Sequence, residues 1–203
     1  MAAMLAGSFY VLVGLFHPPN IPSSVTTLPW TVVHIMAMGM SFFGLLGLSG
    51  LYSRQLEQTG WMGLAGYLLL SLWLALILGF TFVEVFILPG LAAEAPRFVA
   101  GWLGMFTGTA SEISLGALPL TWILTGPIYI LGGLLFGIAT CRANILPRWA
   151  GALLAVGTAI GPAAALLPLD YQPKVAVPVG LALAWLGYAL WSDRRPVKSR
   201  ATA

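Results

Sequence analysis

Charge is what this chain has least of. Its 203 residues include 9 Lys or Arg and 6 Asp or Glu, 7% in all, where soluble domains carry about a quarter. So few charges cannot cover a surface that faces water on every side. An ordinary soluble globular fold is therefore excluded, and lipid is the expected solvent. Cysteine is as scarce: the single Cys141, beside Arg142, rules out an intramolecular disulfide and leaves the redox compartment open. Histidine occurs only as His17 and His34.

Other absences exclude whole chemistries. The Gly-rich stretches are followed by no strand and no Lys-Ser/Thr pair, so they are not phosphate loops. Ser8, Ser23, Ser24 and Ser111 have no G-x-S-x-G context. A pI near 9.3 would suggest nucleic acid for a soluble chain, but here the basic residues serve membrane topology and no nucleic-acid partner is expected. No Asp, Glu, Lys, Arg or His falls near the middle of an apolar run, which counts against an ion pump or proton-coupled carrier. Prolines within apolar runs, at Pro127 and Pro162, keep a small carrier open as an alternative. The first run lacks the basic flank and A-x-A site of a cleaved signal and is expected to be retained.

What is present is apolar: 59% of residues, with aromatics at 12%. Backbone groups in hydrocarbon must be paired internally, by helices or a closed barrel. Runs near 20 residues, rather than alternating runs near 10, select helices. The expected fold is an all-α polytopic transmembrane bundle of about six spans, at 1–16, 30–52, 61–88, 118–140, 149–167 and 175–191. An outer connection, 89–117, and a basic cytoplasmic tail, 193–203, complete the single domain. Pro127 predicts a kink in the fourth span. Phe98, Trp102 and Phe106 recur every four residues, which predicts a short helix lying on the bilayer surface, with a re-entrant piece as the other option.

Basic residues orient the bundle. Seven of the 9 fall on the side of the termini: Arg54, Arg142, Arg148, Arg194, Arg195, Lys198 and Arg200. Only Arg97 and Lys174 fall opposite. The positive-inside rule then places both termini in the cytoplasm. Ser41, Gly44, Gly47 and Gly50, and then Gly60, Gly63 and Gly66, recur every three residues. Such smooth stripes admit a close neighbour, either within the chain, in a homo-oligomer or in another membrane subunit. A faint repeat at an offset of 88 residues superposes Gly44, Arg54 and Trp61 on Gly132, Arg142 and Trp149. Under it His34 maps to Trp122 and Glu84 to Gln172.

The candidate site follows from depth. The 20 residues from Arg54 back to His34 span about 30 Å of helix, the thickness of the hydrocarbon core. The 23 residues from Trp61 to Glu84 span about 34 Å. Both groups thus reach the outer edge of the apolar slab, where His17 also ends its run. Short loops join the first three spans, so they are expected side by side. Two imidazoles and a carboxylate suit a divalent metal, with His17, His34 and Glu84 as ligands. His17 and His34 could instead ligate a b-type haem. His34 and Glu84 could serve acid–base catalysis on a lipid-borne or apolar substrate. The plain alternative is that interfacial His and Glu simply reach headgroups and water.

The pieces FHPP, FVEVFILPGLAAEAP and ILPRWAGALLAVG resemble a loose group of small bacterial polytopic membrane proteins of unassigned function. The resemblance covers most of the chain and implies a bacterial inner-membrane setting. It implies no chemistry. The expected role is a non-catalytic membrane subunit, or a small-ligand or metal-binding module with an outer-face polar pocket. A membrane enzyme, a b-type cytochrome and a small carrier are the alternatives.

Overall fold

The computed structural model describes residues 1–193; all but the first residue of the basic tail expected at 193–203 lie outside that range. Every regular element among the described residues is helical. In chain order they are α1 (Ala2–Phe16), α2 (Leu28–Arg54), α3 (Leu56–Phe86), α4 (Leu88–Glu94), α5 (Pro96–Thr107), α6 (Leu118–Ala143), α7 (Arg148–Ala159) and α8 (Val177–Ser192). Three 3-10 segments, Pro22–Ser24, Gly161–Leu166 and Leu169–Ala176, join them. Four stretches, Leu28–Arg54, Leu56–Phe86, Leu118–Ala143 and Tyr171–Ser192, are long and apolar enough to cross a membrane.

Local chemistry sets the ends of these helices. α1 stops where His17 turns to extended backbone, φ −61° and ψ 121°, because Pro18 disfavours the helical region for the residue before it. α2 begins with Pro29 in its first turn, where a missing N–H costs nothing, and the Thr27 side chain caps the Trp30 N–H. Gly60 stands at φ 55° inside α3, so the first turn is offset and the long span starts at residue 61. Only a residue without Cβ adopts that backbone cheaply.

Six of these helices close into a ring: α1 packs on α2, α2 on α3, α3 on α6, α6 on α7, α7 on α8, and α8 back on α1. In lipid the hydrophobic effect does not hold helices together; close packing and hydrogen bonds do. The glycine stripes provide that packing inside the chain. A Cβ on Gly66 would run into the backbone of Phe136 on α6, and one on Gly47 into Ala3 on α1. The faces that could have received a second copy are thus filled by the chain's own helices. Gln55, fully buried at the α2–α3 turn, donates from Nε2 to Thr140 Oγ1 at 2.9 Å. At the same end Arg54 of α2 meets Asp193, just past α8, at 3.4 Å. This pair is about half exposed and contributes little to stability.

One expectation is corrected. α7, the helix of the expected fifth span, ends at Ala159 instead of continuing to residue 167. Pro162 lacks the N–H that would continue it, and the chain goes on as 3-10 turns. α6 remains one helix through Pro127. The connection 89–117 holds α4 and the expected short helix around Phe98, Trp102 and Phe106, α5. Val99, Trp102 and Leu103 are buried in a cluster with Val25, Trp30, Phe80 and Leu88, so α5 caps the end of the ring opposite Arg54.

Candidate functional site

Beneath that cap, the ends of α1, α2 and α3 bring His17, His34 and Glu84 together. Trp30 organises them. It is fully buried, and its indole N–H donates to the backbone carbonyl of Glu84 at 2.8 Å. That carbonyl lies in the last turn of α3, where the helix itself leaves carbonyls without partners. One side chain of α2 therefore closes the end of α3 and sets the depth of Glu84. One turn on, His34 stacks against the Trp30 ring, with centroids 3.9 Å apart, and its Nδ1 lies 2.8 Å from the Trp30 carbonyl oxygen.

A carbonyl can only accept, so His34 Nδ1 carries the hydrogen. In the neutral ring Nε2 is then a bare acceptor. It points toward Glu84 Oε2, 3.5 Å away, and has no hydrogen-bond partner. Both residues are buried, at 1% and 5% exposure. Such an atom in a dry interior is costly unless something bonds to it. His17 repeats the arrangement: Nδ1 lies 2.7 Å from the Pro18 carbonyl, leaving its Nε2 as acceptor. Burial holds the His17 imidazole below its ordinary value, and the bond to Pro18 works against that shift. The two imidazoles meet edge to face, with centroids 5.1 Å apart and planes at 67°.

The rest of the surroundings is aromatic. Trp102 of α5 brings its indole N–H close to the Glu84 carboxyl, without the geometry of an ordinary hydrogen bond. Phe80 lies 5.5 Å from both Trp102 and Trp122, and Phe106 lies 4.5 Å from Trp122. Further into the ring Trp73 packs between Tyr10 and Tyr129, whose hydroxyls bond at 3.1 Å. Tyr10, Trp73, Phe80, Phe106 and Trp122, together with His17, His34 and Glu84, line a cavity of about 370 Å³. A smaller cavity of about 140 Å³ adjoins it and shares His17, Asn20, Phe106, Gln172 and Pro173 as walls.

The three residues singled out in the sequence are thus neighbours, but they do not form the centres expected of them. Among the described residues, no group of three or more His, Cys, Asp or Glu side chains is placed to hold a metal ion. Haem ligation through His17 and His34 would need the macrocycle between the two rings. Here the rings contact each other directly, and His34 Nε2 is turned to Glu84. Glu94 is exposed on α4, and Arg97 and Glu112 form an exposed pair at 3.6 Å; neither lines the cavity. Nothing in the sequence marks Trp30, Trp73, Tyr10 or Tyr129 as belonging to a site, and Trp102 stands out there only through its recurrence with Phe98 and Phe106. Trp122 and Gln172, the counterparts of His34 and Glu84 under the offset of 88 residues, also line this cavity. Comparison with protein families, curated proteins and solved structures finds no match to this chain.

Proposed function

We propose that this protein is a non-catalytic membrane module that binds a small molecule in the cavity at the outer end of its helical ring. In this reading six helices span a bacterial inner membrane, with α1 and α7 as short spans and both termini in the cytoplasm. The bilayer is its first partner. A second membrane subunit would dock on the outward faces of the ring, not on the glycine stripes. One observation supports the binding reading above the rest: a 1%-exposed histidine with a partnerless Nε2 lines a cavity of about 370 Å³ that is otherwise mostly apolar, with Tyr10, Trp73, Phe80, Phe106 and Trp122 among its walls. Small-molecule sites are commonly apolar hollows with a few oriented polar groups. A histidine that merely decorated the interface would face headgroups and water, and this one does not.

The test is a panel of small probes on the purified protein in nanodiscs: benzylammonium, benzyl alcohol, benzoate and Zn²⁺, each scored by the shift in unfolding temperature. At least one organic probe is expected to raise it in a saturable way. Ala37→Phe, which adds a ring at the cavity wall, should remove that shift while the protein stays folded and monodisperse. No response to any organic probe, or an undiminished response in Ala37→Phe, would overturn the reading.

A further inference from the structure

The polar end of the cavity has an unusual balance of donors and acceptors. Both histidines use their only neutral-state N–H on backbone carbonyls, His17 on Pro18 and His34 on Trp30. What His34 and Glu84 present to the interior is a pair of acceptors, Nε2 and Oε2, 3.5 Å apart. That separation exceeds an ordinary hydrogen bond between them. Among the described residues no Lys or Arg side chain lines the cavity. The resolved ion pairs of Arg54 and Arg97 lie on exposed surface, with Asp193 and Glu112. A carboxylate this deeply buried, with only the Trp102 indole beside it, is costly; a proton would remove that cost, and so would a positive charge that also donates hydrogen bonds. Four aromatic rings, Trp73, Phe80, Phe106 and Trp122, also line the cavity, and the negative quadrupole of such a ring attracts a cation over its face, more strongly away from water.

We infer that the cavity takes an organic monocation: an ammonium group bearing N–H, seated between His34 Nε2 and Glu84 Oε2, on an aromatic or compact apolar body. The ammonium donates one hydrogen bond to the imidazole and another to the carboxylate. The body fills the space between the indole and phenyl faces. The shared cavity wall formed by His17, Asn20, Phe106 and Gln172 is the polar approach to it, suited to a ligand that arrives from the aqueous side with its charge solvated. The inference rests on the binding reading above and adds the chemical class of the ligand.

Benzylammonium, benzyl alcohol and benzoate share a ring and nearly a size, and differ in charge. Their dissociation constants for the wild-type protein in nanodiscs of uncharged lipid, measured calorimetrically, test the class directly. Benzylammonium is expected to bind about ten-fold tighter than benzyl alcohol, equivalent to roughly 1.4 kcal/mol, and benzoate not detectably. In Glu84→Gln the preference for the cation should collapse while benzyl alcohol binds as before. Equal affinity of alcohol and ammonium in wild type, or a preference that survives Glu84→Gln, would overturn the cation assignment while leaving a binding cavity. Failure of all three probes would instead remove the binding reading itself. The wild-type ranking decides the question even if Glu84→Gln fails to fold. Saturable Zn²⁺ binding that excludes benzylammonium would also count against the assignment.

Discussion

At the residue scale, position relative to the helix ends governs what each ionisable group can do. His17 sits one residue beyond α1, and the Pro18 bond and burial pin it there. Because burial lowers its proton affinity from an ordinary value near 6.5, the unfolded chain binds this proton more readily than the folded one. Stability then falls as pH drops through the ordinary histidine value, and the loss levels off only below the folded-state value. Between pH 7.5 and 5.5 the wild type should therefore lose more unfolding temperature than His17→Asn does. Equal losses in thermal melts of the two would show that His17 is not buried as a neutral ring. Trp30 teaches a related lesson: its influence on Glu84 runs through the backbone, by an indole bond to a carbonyl, and no side-chain spacing in the sequence marks such a bond.

At the scale of the element, small residues decide which helices can touch. Gly66 meets the Phe136 backbone, whereas nothing lies within 4 Å of a Cβ built on Gly79 of the same helix. Gly66→Ala should therefore force α3 from α6 and destabilise by about 1–3 kcal/mol, as overpacking does. Gly79→Ala should be neutral, or stabilising by up to about 1 kcal/mol through helix propensity. Reversible denaturation in mixed micelles separates the two, and equal effects would mean that the α3–α6 contact is not as described. The repeat of three in the sequence marked these faces as smooth, but could not say whether the neighbour belonged to the same chain. Element ends were legible where proline or glycine gave a local reason, at His17-Pro18 and Gly60. The end of α7 was not, because a proline inside an apolar run can be absorbed, as Pro127 is in α6, or can break the helix, as happens near Pro162.

For the whole molecule, the closed ring places Arg54, Gln55 and Thr140 at one end and His17, Glu84 and Gln172 at the other. If the positive-inside rule orients this ring, the exposed turn at Gln58 faces the cytoplasm and the exposed Ser114 faces outward. In a Cys141→Ser background, an impermeant maleimide should label Ser114→Cys in intact cells and Gln58→Cys only after lysis. The reverse pattern would invert the topology, and labelling of both in intact cells would contradict a single crossing, by α3, between them.

Composition alone was enough to name the solvent, since a chain with 7% charged residues cannot cover a surface that faces water on every side, and the length of its apolar runs then selected helices over a barrel. Helical rise then set the depth of His34 and Glu84, because 1.5 Å per residue leaves little freedom over twenty residues. Which way those side chains turn was decided only when the ring closed. A helix end can present a histidine to lipid, to water or to its neighbours with the same sequence. Here Trp30, tied to the Glu84 carbonyl, and α5, lying across the end of the bundle, turned it inward. The cavity is made of contacts between residues far apart in the chain, and such contacts leave no periodic trace in the sequence.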